Sequence, residues 1–138
     1  MNGNGLSITK RDGSKENLNL EKIHRMVEAA CDGINGVSAS QVEMSANLSF
    51  YDGVTTQEIQ ETLVKSASDL ISLDAPNYQY VAARLLLFSI RKDVFNTKWK
   101  DSKIYPPLKD IVERNIEYGV YDKNLKGYYD DKEWEKLN

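Results

Sequence analysis

The sequence predicts a mainly α fold, with a short N-terminal β-hairpin on a four-helix bundle, followed by small C-terminal helices. Three observations carry that prediction. The alternating stretch LSIT meets an Asp12-Gly13 turn signal. Apolar residues then recur at helical spacing in four successive stretches. Breaks rich in Gly, Asp or Pro separate those stretches. With 138 residues, 41% of them hydrophobic and 28% charged, the chain has apolar content for one ordinary globular domain and some length to spare.

Taken in order, ITKRDGSKENLNLEKI begins with the first strand, turns at Asp12-Gly13 and carries a second short strand ending in Leu18. From Leu20 the apolar positions Leu20, Ile23, Val27, Cys31 and Ile34 define a first helix, punctuated by Gly33 and Gly36. Ser38 is placed to cap a second helix carrying Val42, Ala46 and Leu48, the least periodic of the four. Tyr51-Asp52-Gly53 breaks the chain. Thr55 or Thr56 then stands at an N-cap with Glu58 close behind, and Ile59, Leu63, Ala67, Leu70 and Ile71 form the stripe of a third helix. Asp74-Ala75-Pro76 starts a fourth, from about Tyr78 to Phe95, apolar nearly all round its middle and expected as the buried central helix. Arg91 and Lys92 at its end complement the helix dipole. The predicted division is a first domain over 1–95, a linker over 96–107 and a helical segment over 108–138. In that last segment Leu125, Tyr128, Tyr129 and Trp134 are too many large apolar groups for a free tail, and are expected to pack.

Composition excludes several functions. A net charge of −3 argues against a nucleic-acid binder, which needs a concentrated excess of Lys and Arg. One cysteine, Cys31, leaves no disulfide framework and no Cys-rich zinc site, and suits a reducing compartment. The N-terminus lacks the apolar run of a signal peptide, and VAARLLLFSI is too short to span a bilayer. The expectation is a soluble, cytoplasmic protein without a membrane partner. The single histidine, His24, is expected on a solvated helix surface, and Cys31 as a small core residue. Neither stands near a nucleophile elbow.

The remaining chemistry gathers around the hairpin. If the turn faces the end of the fourth helix, then Lys10, Arg11 and Lys92, with the hydroxyl and amides at the Thr55-Thr56 helix start, supply the donors a triphosphate needs. Glu16, Asn17, Asn19 and Lys22 offer both donors and acceptors for a nucleoside. Spacing alone leaves the ordinary alternative open, that these are solvated surface charges and that Lys92 serves the dipole.

The order ITKRDGSKENLNLEKI, FYDGVTTQEIQETLVKSASDLIS and DAPNYQYVAARLLLFSIRK closely resembles the N-terminal ATP-cone region of the large, catalytic subunit of class I ribonucleotide reductases. The likeness continues through PPLKDIVERNIEYGVYDKNL and YYDDKEWEKLN, which look like the residues joining the cone to the catalytic barrel. The resemblance implies a regulatory domain that binds ATP as activator and dATP as inhibitor, with Mg2+. Its site residues fall on Lys10, Arg11, the run Glu16, Asn17, Leu18, Asn19, Leu20, Glu21 and Lys22, then Thr56, Gln60 and Lys92. Lys10, Arg11 and Lys92 are implied phosphate ligands, Thr56 helps hold the phosphates, and Glu16 and Asn19 read base and sugar. Some bacterial relatives have a histidine where this chain has Gln60, an uncharged donor, which bears on how strongly dATP binds. The implied partners are the remainder of the large subunit and a small radical-generating subunit, in a larger oligomer. With only Cys31, the chain lacks the cysteine set of that family's radical chemistry, so no catalysis is expected of it. Two other readings remain: a free-standing nucleotide-sensing cone acting on another partner, and a helical interaction module that binds no nucleotide.

Overall fold

In the computed structural model, which describes residues 5–96 and 105–138, the hairpin is strand β1 (Ser7–Thr9) antiparallel to β2 (Lys15–Asn17), with Ile8 opposite Glu16. Lys10 N–H donates to the Ser14 carbonyl at 2.8 Å, and Gly13 N–H to the Lys10 carbonyl at 2.9 Å. Of the turn residues only Gly13 takes a positive φ, 82°, where a side chain would be strained. Asp12 Oδ1 accepts from the Ser14 N–H at 2.9 Å and the Ser14 hydroxyl at 2.6 Å, stiffening the tip that carries Lys10 and Arg11.

A third strand, β3 (Val54–Thr55), runs parallel to β1 and completes a sheet of order β2-β1-β3. The sequence predicts only a helix start here. At two residues, β3 has no alternation to read, and it exists because tertiary bonds place it. Gly53 N–H donates to the Ser7 carbonyl at 2.8 Å, and Asp52 Oδ1 accepts from both the Ser7 N–H and hydroxyl at 2.7 Å.

Helix α1 (Leu20–Cys31) is capped by Asn19, whose side chain accepts from the Lys22 N–H, and it buries Ile23, Val27 and Ala30. Cys31 packs half-buried against the core, as expected. Helix α2 (Ala39–Asn47) is capped by Ser38 and buries Val42 and Ala46. Leu48, expected on its apolar face, is instead its exposed C-cap. Helix α3 (Thr56–Asp69) has Thr55, not Thr56, as its N-cap, in a full capping box with Glu58. It buries Ile59, Leu63 and Ala67, whereas Ile71 falls beyond its end and is exposed.

Helix α4 (Tyr78–Phe95) has the expected length but not the expected burial. Tyr78, Val81, Ala82 and Leu85 are buried, while Leu86, Leu87, Ile90 and Val94 stand exposed. The helix packs on α3 and α1 through one stripe, so an apolar circumference is only partly covered. Tyr78 fastens its start to α2 by donating to Gln41 at 2.8 Å and accepting from the Ser38 N–H at 3.0 Å. Arg84 donates to the Asp32 carbonyl at 2.5 Å, just past the end of α1. Asn96, at a left-handed φ of 55°, ends the helix.

Most of the expected linker, 97–104, lies outside the described residues. Tyr105 packs edge-on against Phe95, centroids 5.6 Å apart, with the Arg91 guanidinium 5.3 Å above its ring. Beyond it come α5 (Leu108–Glu117), a 3₁₀ helix (Lys123–Tyr128) and α6 (Asp131–Leu137). Val112 and Trp134 are buried there, apart from the main core. Tyr129 meets Trp134 edge-on at 5.2 Å and Leu125 is half-buried. Tyr128, at 70% exposure, does not pack as expected.

Candidate functional site

Three parts of the fold converge at one corner. The β1–β3 register pairs Thr9 with Thr55, which sets the hairpin tip beside the start of α3. Helices α3 and α4 form a packed pair joined by a short connection, so the start of α3 lies toward the end of α4. Arg11 at the tip makes an ion pair with Asp93 in the last turn of α4. Lys10, Arg11, Thr56 and Lys92 thus lie on the three elements that meet at this corner.

Their individual settings differ. Lys10 is exposed and pairs with Glu16 across the hairpin at 2.5 Å, a contact that raises the lysine above its ordinary pKa, chiefly by the hydrogen bond. Lys92 is exposed on the last turn of α4. Thr56 is the first residue of α3, half-buried, where the positive end of the helix dipole and unbonded N–H groups favour an anion. Glu58 shares that end. Its carboxylate accepts from the Thr55 N–H and hydroxyl and from the Tyr51 hydroxyl, each at 2.8 Å, and these bonds hold it below the usual carboxylate range.

The run from Glu16 to Lys22 divides by role. Leu18 is a core residue at 5% exposure, and Leu20, partly buried, packs against the core. Asn17, Asn19, Glu21 and Lys22 are exposed. Asn19 spends its side-chain oxygen on capping α1, and Glu21 pairs with Arg25 one turn on. Gln60, one turn beyond Thr56, is half-buried, and its amide donates to the Leu85 carbonyl at 2.7 Å. It ties α3 to α4 rather than standing on a solvated face.

Two side chains acquire meaning only from the fold. Nothing local in the sequence marks Asp93, because its partner, Arg11, is remote in the chain. His24, expected on a solvated surface, is half-buried between two carboxylates: Nδ1 lies 2.7 Å from Glu43 Oε1 and Nε2 3.1 Å from Glu28 Oε1. Glu43, first, and Glu28 raise its pKa above the ordinary histidine value. The i,i+4 partner Glu28 was visible in the sequence, but Glu43 comes from another helix. Among the described residues no group of three His, Cys, Asp or Glu side chains is placed to hold a metal ion, and no helix is long and apolar enough to cross a membrane.

Residues 6–93 match the ATP cone domain family. The chain is 46% identical over 139 residues to ribonucleoside-diphosphate reductase 1 subunit alpha of Escherichia coli, a match covering 100% of this chain and 17% of that protein. Against ribonucleoside-diphosphate reductase subunit alpha of Haemophilus influenzae it is 42% identical over 134 residues, covering 96% of this chain and 17% of the relative. The corresponding protein of Helicobacter pylori is 38% identical over 133 residues, covering 96% and 16%. The chain thus spans less than a fifth of the length of the curated relatives it matches.

Proposed function

The chain belongs to the ATP-cone family, and on that premise we propose that it is the activity-regulating part of a ribonucleoside-diphosphate reductase large subunit, binding ATP as activator and dATP as inhibitor. The observation that carries this reading is the corner itself: a hairpin tip with two cations, a helix start and the cationic last turn of α4, brought together by the Thr9–Thr55 register and the Arg11–Asp93 pair. Concentrated negative charge with several acceptor oxygens fits such a corner, because charge-assisted donors and helix-start amides both favour it.

In this proposal Lys10, Arg11 and Lys92 ligate the phosphates, and Thr56 adds its hydroxyl and the helix start. Gln60 steadies the Thr56 turn against α4 through Leu85. Glu16 and the amide nitrogen of Asn19, which the α1 cap does not use, face base and sugar, with Asn17, Glu21 and Lys22 around them. Leu18 and Leu20 fix the backbone of that run from the core side. Mg2+ arrives with the triphosphate and takes oxygen ligands from phosphate and water.

ATP and dATP differ by one hydroxyl, so regulation requires that the two favour different states of the larger assembly, by a differential affinity. That assembly comprises the remainder of the large subunit and a small radical-generating subunit, and deoxyribonucleotide synthesis for DNA replication proceeds there, in the cytoplasm. Residues 1–95 act as the cone, 96–107 as a linker and 108–138 as the segment leading toward the catalytic barrel. Among the described residues the carboxylates at the corner, Glu16, Asp93 and Glu58, are each held by a donor of the protein, so in this reading the nucleotide leaves intact.

Calorimetric titration with Mg–ATP and Mg–dATP tests the reading. It expects saturable binding of both and no phosphate release. Absence of binding, or phosphate release that Lys10→Ala abolishes, contradicts it.

A further inference from the structure

We propose that Asp93 is a built-in competitor for the phosphates: its carboxylate holds Arg11 between the hairpin tip and α4, and the ligand must displace it. This rests on the nucleotide-binding reading above. The two cations of the hairpin tip each hold a carboxylate, but the two pairs differ in kind. Glu16 sits in β2 opposite Ile8, so its pair with Lys10 stays within the hairpin. Asp93 comes from the last turn of α4, so its pair with Arg11 joins two elements.

The placement of Asp93 has no explanation within its own helix. An acid near a helix C-terminus faces the negative end of the dipole and weakens the helix. Arg11 is the partner that offsets this. Both side chains are about half exposed, 47% and 53%, so the pair is weak and readily exchanged. A triphosphate brings more charge and more acceptor oxygens than one carboxylate, and so outcompetes it for the guanidinium. The carboxylate released then sits beside the bound phosphates at the same turn as Lys92, where its charge opposes theirs. Asp93 thereby lowers affinity twice, by occupying Arg11 before binding and by repelling the phosphates afterwards. Only the first of these depends on Arg11.

The test is a double-mutant cycle read by calorimetry with Mg–ATP at low salt: wild type, Asp93→Asn, Arg11→Ala and the double variant. Asp93→Asn is expected to tighten ATP about two- to fivefold, the range open to an exposed ion pair. In the Arg11→Ala background the same replacement is expected to tighten it distinctly less. The gain should shrink as salt is raised, through screening. Thermal unfolding checks the fold, and Asp93→Asn is expected to stay close to wild type, because the unfavourable helix-end charge and the weak pair that offsets it are lost together. Unchanged affinity in Asp93→Asn, or equal tightening in both backgrounds, overturns the competitor while leaving nucleotide binding standing. Wild-type protein that binds no ATP overturns both.

Discussion

Replacing Gln60 by methionine isolates the tie between α3 and α4. Methionine is close to glutamine in length and flexibility, so packing changes little, but the donor to the Leu85 carbonyl at 2.7 Å is lost. That carbonyl lies inside α4 and keeps its intrahelical N–H partner, so it is not orphaned. The loss is therefore that of one net hydrogen bond, about 1 kcal/mol, without a full desolvation penalty. For a chain of this length such a change lowers Tm by roughly 3–5 °C. Gln57 supplies the control. It lies on the same helix and donates to Glu61 at 3.0 Å on an exposed face, so Gln57→Met should cost no more than about 0.5 kcal/mol. Both variants are compared with wild type by thermal and urea unfolding. Equal Tm values for wild type and Gln60→Met, or a larger loss in Gln57→Met, would refute the inter-helix role of Gln60.

Lys10→Ala and Lys92→Ala are each expected to weaken ATP about tenfold or more, by removing a charge-assisted bond, while thermal unfolding shows the fold retained; unchanged calorimetric affinity in both would move the site elsewhere. His24 is held between Glu43 and Glu28 with its pKa raised, so its contribution to stability is complete below its unfolded-state pKa and fades as pH rises through the higher folded-state value. Urea unfolding of wild type and His24→Gln should accordingly differ more at about pH 5.5 than at about pH 8.5, and an equal difference at both counts against the bridge. Leu63→Ala, at a wholly buried position between α3 and its neighbours, should cost about 2–5 kcal/mol in urea unfolding, and a loss below about 1 kcal/mol would be incompatible with the packing.

What could be read from the sequence was mostly what is local. Asp12-Gly13 announced the hairpin because a positive φ at Gly13 is a property of one residue. Thr55 and Glu58 announced the start of α3 because a capping box spans four consecutive residues, although only the structure decided that Thr55 and not Thr56 holds the cap. β3 was illegible, since Val54 and Thr55 form a strand only where β1 is there to pair with them. The apolar circumference of α4 fixed its length but not its burial, which depends on how many neighbours surround it. At the corner, the cations were legible and their partners were not. Glu16 is near Lys10 in sequence, whereas Asp93, Glu43 and Leu85 reach Arg11, His24 and Gln60 only through the fold.

The proposed function stands on the hairpin tip, the start of α3 and the end of α4 forming one anion-binding corner. Amide NMR spectra of the labelled chain, titrated with Mg–ATP, report on that corner residue by residue. The signals of Lys10, Arg11, Thr56 and Lys92 are expected to shift together with a single saturation curve, while Val112 in α5 and Trp134 in α6 stay in place. Saturable shifts confined to other parts of the chain, with those four signals unmoved, would contradict it.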